Sequence, residues 1–172
     1  MTKPFMQQIV TLAFLILSFN FGLVNATEVT GNVVDSDSGD GLPCRLYVQN
    51  VDSGEWHFAK PKNAAGSAVE YKKQVGQTAS IEMHTTLSAG IFPLQLSPGQ
   101  YRIHAEYGKE FLPADTEINV STEPSDFRLP MKRFVNMPQR GWYSGETHAH
   151  RSLEELPNLV IAEDLNVAFP MT

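Results

Sequence analysis

Two histidines separated by one residue, His148 and His150, stand in the run Gly141-Trp142-Tyr143-Ser144-Gly145-Glu146-Thr147-His148-Ala149-His150-Arg151. On an extended strand, positions 146, 148 and 150 share one face, so both imidazoles and the Glu146 carboxylate project from the same side. Such a row can present two neutral nitrogen donors to one divalent cation with a carboxylate beside them. The spacing alone fits a surface pair as well as it fits a metal site. The candidate metal-ligating residues are therefore His148 and His150, with Glu146 as a further ligand or as a group that orients a ligand or a water.

The flanking residues indicate what would hold that row. From Ser152 to Asp164 the apolar positions Leu153, Leu156, Leu159 and Val160 recur at helical offsets, and Pro157 divides the stretch so that a second helical piece starts there. Leu165 to Thr172 then reads as a buried strand. Strand, helix, strand is the opening of a parallel α/β unit. The histidine pair falls at the carboxyl end of its first strand, where such folds place their active sites.

Residues 140–172 resemble the start of the PHP (polymerase and histidinol phosphatase) metal-dependent hydrolase superfamily, in particular its exported CehA/McbA-type branch. Glu146-Thr147-His148-Ala149-His150 is similar to the first metal motif of that family, with Glu in place of the usual Asp, and Glu163 to Thr172 is similar to the second strand. The resemblance implies a (β/α)7 barrel with two or three divalent metals (Zn, Mn or Fe). A metal-activated water would attack a small-molecule phosphoester or a carboxylic or carbamate ester. His148 and His150 would then ligate one metal, with the remaining ligands beyond Thr172. A complete α/β barrel takes about 200 residues or more, and the chain has 172. The implied reading is an N-terminal fragment of a hydrolase, inactive as it stands.

Upstream, Thr27 to Phe134 alternates short strands with turn residues, which predicts an antiparallel β-sandwich. In Gln100–Tyr107, Tyr101, Ile103, Ala105 and Tyr107 take one face and Arg102, His104 and Glu106 the other. Further strands are expected at Val29–Asp35, Leu42–Gln49, Thr116–Val120 and Asp126–Lys132; Pro130 suits an edge strand. Ser36-Asp37-Ser38-Gly39-Asp40-Gly41 reads as a solvated turn. Gly31 to Asp35, Leu42 to Val48 and Leu96 to Ile103 resemble the carboxypeptidase regulatory-like (transthyretin-like) β-sandwich over residues 28–52 and 94–132, a module that the resemblance implies is non-catalytic. The stretch Asp52–Phe92 is longer than that pattern needs. It holds His57 and His84, read as single strand histidines without a metal role, and Trp56 and Phe58. With Tyr71 these two could form a stacking surface for a sugar, although core and hairpin packing account for them more simply.

Lys3, the apolar run Ile9–Phe19 and the small-x-small site Val24-Asn25-Ala26 read as a secretory signal cleaved after Ala26, so the chain is expected to be exported to the periplasm, cell surface or medium. The apolar run is too short for a stable membrane span. A net charge of -6 without a basic cluster argues against a nucleic-acid partner. The lone Cys44 has no partner for an internal disulfide and reads as a small core residue. The expected organisation is a mainly β chain: signal peptide 1–26, β-sandwich 27–134, linker 135–139, and a truncated βαβ barrel start 140–172. Two alternatives stand beside it. One is a stand-alone exported β-sandwich binding or adhesion module onto which the last 33 residues dock, and the other is metal recruitment by the histidine pair between two chains. Substrate and oligomeric state are not specified by the sequence.

Overall fold

The computed structural model of the chain describes residues 25–61, 67–74 and 81–171. The signal segment lies almost wholly outside them, and no described helix is long and apolar enough to cross a membrane. The fold is mainly β. Strands β1 (Thr27–Asp35), β6 (Ile91–Leu96) and β9 (Ser125–Met131) form a three-stranded sheet in the order β6-β1-β9. Strands β2 (Cys44–Asn50), β4 (Ala68–Gln74), β5 (Ile81–Leu87), β7 (Gly99–Glu106) and β8 (Ala114–Val120) form the larger sheet in the order β4-β5-β2-β7-β8. The two-residue β3 (Trp56–His57) pairs with β2. Pairing is antiparallel throughout both sheets except for β1 and β9, which run parallel.

Alternation explains why these segments form strands around one core. Val29 and Val33 on β1, Cys44, Leu46 and Val48 on β2, Phe92, Leu94 and Leu96 on β6, and Tyr101, Ile103 and Ala105 on β7 all point into it. Pro130 falls on β9, an edge strand of the small sheet, where its missing N–H costs no ladder bond on the open side. The turn after β1 is closed by the Asp35 carboxylate, which accepts from the backbone N–H groups of Asp37 (2.7 Å) and Ser38 (3.2 Å), with Gly39 at φ 80°.

Cys44 is fully buried, and loss of water around the thiol pushes its pKa up to about 12. Its thiolate is therefore absent at neutral pH. A thiol reagent such as DTNB is expected to label the native chain only at the rate of global unfolding, and immediately in denaturant; rapid labelling without denaturant would contradict this placement.

The region Asp52–Phe92 supplies β3 to β5 and the start of β6. Period-two alternation is missing from β5 because the strand is covered on both faces: His84, Thr85, Thr86 and Leu87 are buried in succession.

After a 3-10 turn at Pro138–Arg140, β10 (Gly145–Ala149) and β11 (Val167–Pro170) pair in parallel, and helix α1 (Leu156–Ala162) lies between them in the chain. Pro157 sits in the first turn of α1. Two expectations are corrected here. β11 is not buried, since Val167 and Phe169 are 46% and 57% exposed: one partner strand and a seven-residue helix cannot cover both of its faces. Nor is this unit the start of a (β/α)7 barrel. Its sheet has two strands, and α1 packs against β5, β2 and β4 of the large sheet as well as against β11.

Candidate functional site

The predicted row on β10 is exposed at all three positions, Glu146, His148 and His150. Strand geometry does bring the imidazoles together: their Nε2 atoms lie 2.8 Å apart, with ring centroids at 4.6 Å and planes at 68°. At that distance one ring nitrogen donates and the other accepts, so each satisfies the other. Glu146 does not join them. Its Oε1 accepts the backbone N–H of His148 at 2.8 Å, folding the carboxylate back on its own strand. Among the described residues no three His, Cys, Asp or Glu side chains converge to hold a metal ion. Two imidazoles and a carboxylate engaged by the backbone do not fit a hydrolytic centre, which needs three or more protein ligands and an open position for water. The PHP metal-dependent hydrolase reading is corrected accordingly.

These residues line a cleft of about 860 Å³ between the large sheet and the β10-α1-β11 segment, together with Arg45, Tyr71, Arg151 and Glu163. The organised chemistry of the cleft lies in its walls. Arg45 and Tyr47 project from the outer face of β2, opposite Cys44, Leu46 and Val48. Arg45 Nε donates to Glu163 Oε1 at 2.9 Å, a second guanidinium nitrogen also donates to Glu163, and Nη1 reaches Glu106 Oε2 at 3.2 Å. Tyr47 Oη donates to Glu106 at 3.2 Å. His104 faces Glu106 and Asp115 (2.8 Å from Nδ1 to the latter), which raises its pKa, and in turn His104, followed by Arg45, holds Glu106 down to about 2.

The next residue, Asp164, is the hinge of this arrangement. It follows α1 with φ 53°, a left-handed conformation that glycine adopts without cost and aspartate does not. The N–H of Leu165 bonds to Val160 O (2.9 Å) and that of Asp164 to Ile161 O (3.2 Å), the two bonds of a Schellman termination. A glycine would close the helix equally well; the carboxylate is used elsewhere. Its Oδ1 accepts Tyr107 Oη at 3.0 Å, and Oδ2 lies 3.9 Å from Arg133, which also pairs with Glu110. Gly108 permits this approach, because a Cβ there would sit 2.5 Å from Asp164 Cβ. At the other end of α1, Asn158, 3% exposed, donates to Ser67 O and Ser67 Oγ, both at 2.8 Å. Ser144 Oγ donates to Asp164 O at 2.6 Å, tying β10 to the same point.

None of Arg45, Tyr107, Gly108, Arg133, Asn158 or Asp164 stood out in sequence. The available signal was outward alternation of polar residues on β2 and β7, which marks a polar face without saying what covers it.

No family model matches the chain, and no curated protein does. Similar solved structures include a DUF3823 family protein from Parabacteroides merdae (12% identity, TM-score 0.37, covering 64% of this chain and 48% of that one). The group B streptococcus pilus 2b backbone protein is another (12%, 0.43, 65% and 43%), as is the shaft pilin SpaA from Lactobacillus rhamnosus GG (14%, 0.41, 66% and 49%). The chain spans less than half the length of each of these three, and the TM-scores are too low to transfer fold detail or function. Neither the PHP hydrolase resemblance nor the carboxypeptidase regulatory-like one is upheld: no family model matches the chain, and β10 and β11 form a separate two-stranded sheet rather than the start of a barrel.

Proposed function

We propose that this chain is a non-catalytic β-sandwich binding module of an exported protein, and that its C-terminal β10-α1-β11 segment is a docked part of that module. The observation that carries the reading is the set of contacts by which Glu163 and Asp164, at the end of α1, meet Arg45, Tyr107 and Arg133 of the sandwich. Export is supported by the signal-like N-terminus and by the start of β1 at Thr27, one residue after the cleavage-type site, so that removal of residues 1–26 leaves every described strand whole.

Two measurements test this. Amide hydrogen exchange on the purified chain should show Asn158–Leu165 protected together with β2 and β7. Arg45→Ala should lower that protection and cost about 1–2 kcal/mol, since both partners of the Arg45–Glu163 pair keep some contact with water. Solvent-rate exchange of α1 beside a protected β2 would overturn the docking. Separately, p-nitrophenyl acetate and p-nitrophenyl phosphate with added Zn²⁺ or Mn²⁺ should be hydrolysed no faster than by the metal alone. Turnover above that background that disappears in the double variant His148→Ala/His150→Ala would overturn the non-catalytic assignment.

A further inference from the structure

A second concavity, of about 350 Å³, lies where an edge of the small sheet comes alongside β3 and β4. This is the small end of the range for ligand sites, about 300–1,000 Å³. Its aromatic lining is Trp56 and Phe58, both half-buried. Tyr71, the third aromatic considered for stacking, belongs elsewhere, against His84 and under Arg151. Trp56 and Phe58 keep part of their surface at the groove, and since Lys72 Nζ lies 4.3 Å from the centroid of the Phe58 ring, Trp56 is the ring left for stacking. The polar lining is Glu28, Gln95, Lys60 and Glu70. Glu28 and Gln95 are cross-strand neighbours on β1 and β6, and Gln95 Nε2 donates to Glu28 Oε2 over 3.4 Å, a long bond that an incoming hydroxyl can replace. His57, also on the groove, has a buried Nε2 with no hydrogen-bond partner among the described residues.

We infer that this groove binds a neutral oligosaccharide, with a sugar ring against Trp56 and its hydroxyls shared between Glu28 and Gln95; the inference rests on the binding-module reading and names its ligand class. A sugar hydroxyl both donates and accepts, and so matches a lining that mixes carboxylate acceptors with amide and ammonium donors. The apolar C–H face of a pyranose meets the negative face of an aromatic ring. An anion is disfavoured because the lining carries two carboxylates and one lysine, Lys60, while the neighbouring Lys72 is engaged by Glu70 at 2.7 Å and by the Phe58 ring. A peptide adding to the edge of β6 is disfavoured because Pro93 offers no N–H, and its carbonyl already accepts from Lys60 N at 3.4 Å.

The chain has two tryptophans, so Trp142→Phe leaves Trp56 as the sole indole reporter. Titration of that variant with maltohexaose, cellohexaose, chitohexaose and mannohexaose should give a saturable change in Trp56 emission for at least one, with Kd of about 1 mM or tighter. Trigalacturonate, the anionic control, should give none. Glu28→Gln and Gln95→Ala, both at exposed positions, should fold normally by circular dichroism and weaken the sugar about 10-fold. Silence of all four neutral sugars up to about 10 mM, equal binding of trigalacturonate, or undiminished binding by the two variants would overturn the assignment. The exchange experiment on α1 stands apart from this one, so a failed groove leaves the docked-module reading intact, and a failed docking leaves the groove testable.

Discussion

Replacing Phe92 by alanine is expected to destabilise the fold by about 3–5 kcal/mol, a large part of the about 5–15 kcal/mol typical of a domain. Phe92 is fully buried on β6 and is among the largest side chains of the core. Its ring occupies space that exists only because β1 carries glycine at position 31: a Cβ on Gly31 would come within 2.3 Å of the edge of the Phe92 ring and 2.7 Å of Phe127. Phe127 from β9 meets the ring edge-on, with centroids 6.1 Å apart, so one side chain ties together all three strands of the small sheet. Removing the ring loses its burial and leaves a cavity that three hydrogen-bonded strands cannot collapse into. Gly31→Ala should cost about 1–3 kcal/mol by overpacking. In the double variant the new methyl group occupies space the ring has left, so the two costs should sum to more than the measured loss. Urea unfolding followed by circular dichroism checks this. The midpoint of Phe92→Ala should fall at unchanged slope, and a loss below about 1 kcal/mol would show that the ring is not the keystone of the small sheet.

The same glycine illustrates what sequence can and cannot say. That Gly31-Asn32-Val33-Val34-Asp35 forms a strand is readable from its flanks, as are β2, β7, β8 and β9 from their alternation, because each has one wet face and one dry one. The parallel pairing of β1 with β9 is not readable: strand direction depends on a connection that crosses between sheets. β5 escapes pattern reading because α1 covers its second face. At the C-terminus, strand, helix and strand were legible from spacing, and so was the shared face of His148 and His150. What spacing does not contain is a third donor arriving from elsewhere, and among the described residues none converges on the pair. The residues that fasten this segment failed to signal for the opposite reason. Arg45 is an ordinary outward residue of β2, and Tyr107 and Arg133 lie just past the ends of β7 and β9; they become a socket only when Glu163 and Asp164 are brought to them, Asp164 Cβ lying 2.5 Å from where a Cβ of Gly108 would be.

Acid should loosen the docked segment before it unfolds the core, and His84 should set the upper edge of that loss. His84 is 4% exposed on β5 and lies between the rings of Tyr47 (5.1 Å) and Tyr71 (5.2 Å), with no hydrogen-bond partner for Nδ1 among the described residues. Burial, then the charges of Arg45 and Arg151, lower its pKa from 6.5 to about 4, while Glu106 opposes them weakly. Because the folded value lies below the unfolded one, the unfolded chain takes up the proton first. Stability due to neutral His84 is complete above pH 6.5 and is lost as pH falls to about 4, by about 3 kcal/mol in all. Glu106, held down to about 2, contributes in the same sense but lower, between its ordinary value near 4.5 and about 2. His104 has a raised pKa, so its contribution is present below its unfolded value and is lost as pH rises through its folded one, above the His84 window. The three groups thus act in separable ranges. His84→Gln should flatten the urea midpoint between pH 6.5 and 4.5 while leaving the steeper fall below pH 4. Since α1 packs on β5 directly over this histidine's strand, protection of Asn158–Leu165 in wild type should decline across the same range and persist in the variant. Parallel midpoint profiles for the two proteins would show that the buried imidazole is not the group that titrates.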